Sequence, residues 1–187
     1  MKTKLFIIAS FLLLLNASCK NKEENKEATD KETTTAAPVK QNFSVEVDVA
    51  ASKKDDVTLY YTEDNTINFN EEMAVWHGVE GNNKKETVVF DLSEEKIPTD
   101  IRLDFGINKE QEVVSLYGVK ILYYGNELYI KGADFFKFFI ESKDFKTEFG
   151  GDGSLKFLKN GPEYKTPFYY PRQELIDALK KLTTTKN

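Results

Sequence analysis

Short runs in which apolar and polar residues alternate recur along this chain, and they restrict its fold more than any other feature. In Phe43–Val49 every second residue is apolar, which is typical of a strand buried on one face. Further strand-like runs follow at short intervals: Val57–Tyr61, Met73–His77, Thr87–Leu92, Ile101–Phe105, Val113–Tyr124, Glu127–Lys131, Phe145–Phe149 and Ser154–Leu158. Because helices do not alternate with these strands, the pattern predicts a mainly β fold, an antiparallel sandwich or barrel.

Glycines mark two irregularities within this pattern. Val113–Tyr124 is long for one strand, and Gly118 in its middle predicts a bulge or a bend. The segment Tyr123–Leu128 predicts a hairpin that turns through Gly125 and Asn126.

Two segments carry helical patterns. Ala133–Ser142 is rich in phenylalanine and predicts a short helix that closes one side of the core, with a strand as the alternative. Arg172–Leu182 follows Pro171 and places four aliphatic residues on one stripe, which predicts an amphipathic C-terminal helix packed on the sandwich. A membrane-surface helix is the alternative, and it is disfavoured because the segment is short and not strongly basic.

The N-terminus has the pattern of an export signal over residues 1–18. Lys2 and Lys4 precede the apolar run Leu5–Leu15, which is too short to cross a bilayer as a helix but has the length of a secretory signal core. Small residues then lead to Cys19, the only cysteine of the chain. One cysteine excludes an internal disulfide framework, and one cysteine with one histidine excludes a Cys/His zinc site.

The residues from Leu15 to Cys19 resemble a bacterial lipobox, in which the cysteine is acylated and becomes the first residue of the mature chain. Asn16 stands where the usual motif has an aliphatic residue, with Leu15 one place earlier. The alternative is an ordinary signal peptide that is cleaved after Ser18. The resemblance implies a membrane anchor through fatty-acyl chains on Cys19 and a location at the outer membrane of the cell envelope.

Residues 19–42 have the composition of a disordered tether, with no aromatic residue and one large aliphatic, Val39. The acidic pair Glu23-Glu24 resembles the signal that sends lipoproteins of Bacteroidetes to the cell surface. Loss of Lys2 and Lys4 with the signal takes the formal net charge from −5 to −7, all of it in the predicted domain 43–187. This acidity argues against a nucleic-acid partner, which requires a basic face.

Catalytic motifs are absent from the sequence: there is no G-x-S-x-G, Walker loop, G-x-G-x-x-G or H-E-x-x-H. His77 is the only histidine, and we interpret it as a strand residue rather than half of a catalytic pair. We therefore expect no enzymatic activity and no cofactor. A structural calcium ion is the one metal that the sequence leaves open, through a group of oxygen-bearing side chains at Asp64, Asn68, Asn70 and Glu71.

Arg102 and Asp104 lie two residues apart on one predicted strand, so they share a face and can form an ion pair with each other or with residues of neighbouring strands. The segment Pro98–Gly106, which contains Arg-Leu-Asp, and the strand Val113–Ile121 resemble the galactose-binding-like jelly-roll sandwiches of bacterial surface-polysaccharide proteins. The likeness covers about Val57 to Ile140. It implies a jelly-roll-like β-sandwich more than a ligand, since this fold has many functions.

Carbohydrate binding is the function that this resemblance favours, through aromatic rings that stack on a sugar and polar groups that bond its hydroxyls. The candidate ligand-binding residues are Tyr60, Trp76, Tyr123, Tyr124, Tyr169 and Tyr170. The alternative is that these aromatics fill the core. The sequence therefore predicts a membrane-anchored, non-catalytic binding module for a glycan. The competing hypothesis is a structural or protein-interaction lipoprotein of the envelope.

Overall fold

The computed structural model describes residues 41–158 and 163–184. The predicted signal segment and Cys19 lie outside the described residues, and so does all of the predicted tether except Gln41 and Asn42. Asn42 is held to the domain, because its side-chain amide donates a hydrogen bond to the backbone oxygen of Leu92 over 3.0 Å.

Two antiparallel sheets contain all the strands of the described residues. In chain order the strands are β1 Ser44–Ala51, β2 Asp55–Thr62, β3 Ala74–Val79, β4 Glu86–Asp91, β5 Asp100–Phe105, β6 Val113–Tyr123, β7 Asn126–Lys131, β8 Phe139–Glu141, β9 Lys146–Phe149, β10 Ser154–Leu158 and β11 Phe168–Pro171. Sheet A has the order β4-β1-β6-β10-β9, with β7 also paired to β6; sheet B has the order β3-β2-β5-β11-β8.

Helical structure is sparse. Single 3₁₀ turns cover Glu71–Met73 and Gly132–Asp134, and α1 is one turn at Phe135–Phe138. The C-terminal helix α2 spans Gln173–Thr184 and buries Leu175, Leu179 and Leu182. None of the helices in the described part of the chain is long and apolar enough to cross a membrane.

The inward residues of both sheets and the apolar stripe of α2 form one hydrophobic core. Alternation along β1 directs Val45, Val47 and Val49 into this core, where they are fully buried. Burial of side chains of this size stabilises the fold by about 1.5–3 kcal/mol each. The prediction of a mainly β antiparallel sandwich with a short Phe-rich helix and a C-terminal amphipathic helix is confirmed.

The predicted Phe-rich helix is shorter than expected. Its residues Phe135–Phe138 form one helical turn, but Phe139–Glu141 form strand β8, so the helix and the strand alternative each account for part of the segment. Strand β8 pairs with β11, and β11 is a strand that the sequence did not predict. The four residues of β11, Phe-Tyr-Tyr-Pro, are all apolar or aromatic and show no alternation that marks a strand.

The predicted bulge at Gly118 is confirmed. Asp48 pairs with Gly118 whereas the next residue, Val49, pairs with Leu116, so Tyr117 is the additional residue on β6. The hairpin prediction is wrong by one residue. Tyr123 pairs with Asn126, and the turn residues are Tyr124 and Gly125, whose φ angles of 47° and 79° fit a two-residue hairpin turn.

Candidate ligand-binding site

Arg102 and Asp104 form the predicted ion pair on the outer face of sheet B. The guanidinium Nε lies 2.8 Å from Asp104 Oδ1 and Nη2 lies 2.7 Å from Oδ2, a bidentate geometry. Burial alone would lower the pKa of Arg102, but the Asp104 carboxylate outweighs this effect and raises that pKa above its ordinary value. Burial raises the pKa of the Asp104 carboxyl above its ordinary value, against the opposing effect of Arg102. The two hydrogen bonds fix the pair in one orientation.

Aromatic rings surround this ion pair. The Arg102 guanidinium carbon lies 4.0 Å from the Tyr60 ring centroid and 4.8 Å from that of Phe168, with Phe69 and Tyr170 slightly further away. Tyr60 is only 7% exposed as a result. We interpret these rings and the ion pair as a small second core on the outside of sheet B, since the Tyr60 ring already packs against Arg102.

The six predicted ligand-binding aromatics do not form one surface. Tyr123 and Tyr169 are 1% and 0% exposed and lie in the core, so the prediction that they stack on a ligand is wrong. Tyr169 instead hydrogen-bonds Thr147, with 2.9 Å between their hydroxyl oxygens. Tyr124 packs against Tyr123 in the hairpin turn, with 4.8 Å between ring centroids. The inward position of Tyr123 and Tyr169 follows from alternation along β6 and β11.

Trp76 is the member of the predicted set that remains largely exposed, at 50%. It lies on edge strand β3, and its ring contacts Tyr60 edge-on with centroids 6.5 Å apart. It thus lies at the margin of the aromatic group on sheet B.

A second set of aromatic and charged residues forms a concave site on the outer face of sheet A. We call it the tyrosine groove; its volume is about 450 Å³. Its lining residues are Glu46, Asp48, Lys85, Thr87, Gly118, Lys120, Glu127 and Tyr129. Strand register assembles them, because Thr87, Asp48 and Gly118 lie in one row across the sheet, and Glu46, Lys120 and Tyr129 lie in the next.

Tyr129 is the aromatic residue of the groove and is 50% exposed. Its outer ring atoms lie over Gly118, where an added Cβ would be 2.6 Å from the tyrosine Oη and 2.8 Å from Cε2. The missing side chain at Gly118 therefore lets the ring lie close to the sheet. Tyr117, the additional residue of the bulge, is 43% exposed beside the groove, and its ring centroid is 5.4 Å from Lys85 Nζ.

Two ion pairs flank the rings. Lys85 Nζ lies 2.8 Å from Asp48 Oδ2, and Lys120 Nζ lies 2.6 Å from Glu46 Oε2. Thr87 Oγ1 donates a third hydrogen bond, to Asp48 Oδ1, over 2.6 Å. Burial alone would raise the pKa of the Asp48 carboxyl, but the hydrogen bonds from Lys85 and Thr87 hold that pKa below its ordinary value of 3.8.

Sequence reasoning missed both tyrosines of this site. Tyr129 was detectable, because Leu128 and Ile130 are apolar and Tyr129 must therefore face the opposite side of β7. Tyr117 was detectable in the same way, because Val114 and Leu116 are apolar and buried and Tyr117 must therefore face the opposite side of β6.

Two of the four oxygen-bearing residues that left calcium open have other partners. Asp64 Oδ1 accepts hydrogen bonds from the backbone and hydroxyl of Thr66, and Asn70 caps the 3₁₀ turn at Glu72. Within residues 41–158 and 163–184, no group of three or more acidic, histidine or cysteine side chains is placed to hold a metal ion. His77 Nδ1 lies 2.9 Å from the Gly78 backbone oxygen, and its ring contacts Phe90 edge-on.

Comparison of the chain with models of protein families, with curated proteins and with solved structures found no match. Functional inference for this chain therefore comes from its own residues.

Proposed function

We propose that this protein is a non-catalytic binding module of the cell envelope and that it binds carbohydrate in the tyrosine groove. The observation that supports this function is the half-exposed ring of Tyr129 in a groove flanked by two fixed ion pairs. A tyrosine ring offers an apolar surface to the C–H face of a pyranose and a hydroxyl at its edge. The groove is also concave, as small-ligand sites usually are.

The ion pairs provide hydrogen-bonding groups of both kinds. Each carboxylate has further acceptor positions and each ammonium has three N–H donors, so the pairs Asp48–Lys85 and Glu46–Lys120 can each bond two neighbouring sugar hydroxyls without separating. Because the pairing already orients these side chains, binding costs less side-chain entropy.

The charge of the groove favours a neutral sugar. Its lining has three carboxylates, on Glu46, Asp48 and Glu127, against the two ammonium groups of Lys85 and Lys120. An acidic sugar would be repelled by this excess of negative charge. The predicted lipid anchor on Cys19 and the predicted tether would hold the groove at the envelope surface, where polysaccharides are present.

A pair of matched variants tests this proposal. Tyr129 on sheet A and Trp76 on sheet B are equally exposed, at 50%, so replacing either with alanine removes a comparable aromatic surface from opposite sides of the sandwich. Neutral glycans are screened on an array with the purified full chain, and the affinity of each hit is measured by titration calorimetry. We expect Tyr129→Ala to weaken binding about tenfold, the equivalent of about 1.4 kcal/mol, and Trp76→Ala to leave it unchanged.

The opposite result would overturn the assignment of the groove. If Trp76→Ala abolishes binding and Tyr129→Ala does not, the glycan binds on sheet B. If no neutral glycan binds at all, carbohydrate binding in the groove is wrong.

Docking on an envelope protein is the second candidate function. Trp76 and Ile140 are both exposed apolar residues on the outer face of sheet B, on its two edge strands. A photo-crosslinking residue introduced at position 76 in living cells should then yield one discrete protein adduct, with the same residue at position 129 as the control. Equal adduct patterns at the two positions would argue against docking through sheet B.

A further inference from the structure

A second pocket lies between the end of α1, strands β8 and β9, and the start of α2. Its volume is about 500 Å³. We call it the cationic pocket; its lining residues are Phe136, Ile140, Glu141, Ser142, Lys143, Lys146, Thr147, Phe149 and Arg172. It shares no residue with the tyrosine groove.

The charge of this pocket is opposite to that of the protein. Three cationic side chains, Lys143, Lys146 and Arg172, line it against one carboxylate, Glu141. Glu141 already has partners, because its Oε2 accepts a hydrogen bond from Thr147 N over 2.8 Å and its Oε1 lies 3.7 Å from Lys146 Nζ. In a chain of formal net charge −5, this local positive excess favours an anionic ligand.

Arg172 is fixed by its neighbours. Its Nε donates a hydrogen bond to the Phe139 backbone oxygen over 3.0 Å, and its own backbone oxygen accepts from Leu175 N at the start of α2. The two Nη nitrogens of Arg172 make no hydrogen bond to the described residues. The N–H groups at the end of the guanidinium are therefore available to a ligand. A planar carboxylate matches such a pair of donors better than a single point charge does.

The pocket also has an aromatic wall. Phe136 and Phe149 pack edge-on with ring centroids 5.0 Å apart, and Phe149 is 36% exposed. A small inorganic anion would leave this apolar surface in water, whereas a ring that carries a carboxylate would cover it.

We infer that the cationic pocket binds an acidic sugar, a uronate unit whose ring lies against Phe149 and whose carboxylate bonds Arg172. The choice of a sugar as the body of the ligand rests on the proposed carbohydrate function, whereas the carboxylate and the flat apolar face follow from the pocket itself. The protein then has two sites of different preference, neutral in the groove and acidic in the pocket. A polysaccharide with both kinds of unit would gain affinity from occupying both.

The test is calorimetric titration of the purified full chain with oligomers of galacturonate and glucuronate, against galactose and glucose oligomers of equal length. We expect the acidic oligomers to bind in the pocket and to weaken as salt rises from 20 to 500 mM, since the charges are partly exposed. Arg172→Gln should weaken this binding about tenfold, as expected for loss of a charge-assisted contact. Phe149→Ala should weaken it severalfold.

Two controls separate the pocket from general effects. Lys156 is an exposed cation that pairs with Glu148 over 2.9 Å and does not line the pocket, so Lys156→Gln should leave uronate binding unchanged. Arg172 also bonds the Phe139 backbone oxygen, so its replacement removes a contact within the fold as well as a contact to the ligand. Arg172→Lys, which keeps the positive charge, and a thermal unfolding curve for each variant distinguish lost binding from lost folding.

The outcomes test the pocket separately from the groove. If Arg172→Gln and Phe149→Ala leave uronate binding unchanged in folded protein, the inference is wrong. It is also wrong if inorganic phosphate displaces the uronate at equal concentration, since the aromatic wall then contributes nothing. Loss of neutral-glycan binding in Tyr129→Ala with retained uronate binding supports both sites, and neutral-glycan failure with uronate binding overturns the groove alone.

Discussion

The ring of Tyr129 on β7 occupies the position above Gly118 on β6 where any other residue would place its Cβ. That Cβ would lie 2.6 Å from the tyrosine hydroxyl oxygen. The clash involves the outer end of an exposed side chain rather than backbone, so the ring can move away. A side chain added at position 118 would therefore change the shape of the groove more than the stability of the fold.

Gly118→Ala should therefore weaken neutral-glycan binding with little loss of stability. The alanine displaces Tyr129 from the sheet and changes the shape of the groove. We expect a fall in affinity of about threefold to tenfold and a change in unfolding free energy below about 1 kcal/mol. Calorimetry and urea denaturation measure the two effects. An unchanged affinity would show that the position of the Tyr129 ring does not matter for binding.

Removing one partner of the Arg102–Asp104 pair should destabilise the domain strongly. Asp104→Ala leaves a guanidinium uncompensated among aromatic rings, and loss of one partner of a buried pair costs about 3–5 kcal/mol. The double variant Arg102→Met, Asp104→Leu should recover most of this loss, because it removes both charges and keeps apolar volume. Urea denaturation of the two variants tests this prediction. Similar destabilisation in both would indicate that the pair itself contributes the stability.

Asp48 should keep neutral-glycan binding constant from neutral pH down to about pH 4. Its pKa in the folded protein lies below 3.8 because of Lys85 and Thr87, so its carboxylate contributes stability above the unfolded pKa. That contribution is lost only as the pH falls through the lower folded value. Affinity is measured at successive pH values, with Asp48→Asn as the variant that removes the ionisable group.

A matched control exists for this pH dependence. The pKa of Asp134 is likewise lowered, mainly by its hydrogen bond to Lys137, but Asp134 lies outside the groove. Asp134→Asn should leave the pH profile of binding unchanged. A profile that changes equally in both variants would point to global unfolding rather than to the groove.

The extent to which sequence predicts this structure differs between the core and the outer faces. Alternation placed most strands within one or two residues because the buried face requires an apolar residue at every second position, as at Ile101, Leu103 and Phe105. The outer faces follow from pairing between distant strands. The row that brings Asp48 beside Gly118 depends on register and on a bulge, and the position of Phe69 over Arg102 depends on a loop.

Tyr164 should make the domain sensitive to alkali between about pH 10 and pH 12. Its hydroxyl donates a hydrogen bond to the Gly106 backbone oxygen over 3.1 Å. Burial, with a smaller contribution from the negative charge of Asp55, raises its pKa to about 12. The folded state therefore keeps the Tyr164 proton at pH values where the unfolded chain has lost it. Stability falls as the pH rises through this interval, and the Tyr164 contribution is complete below pH 10.

Tyr164→Phe should make this decline shallower, because phenylalanine has no proton to lose. The measurement is the urea midpoint of unfolding at half-unit steps from pH 8 to pH 12. Tyr117→Phe is the control, since it removes the hydroxyl of an exposed tyrosine outside the core. If Tyr164→Phe and the wild-type chain lose stability with the same slope, ionisation of Tyr164 is not coupled to folding.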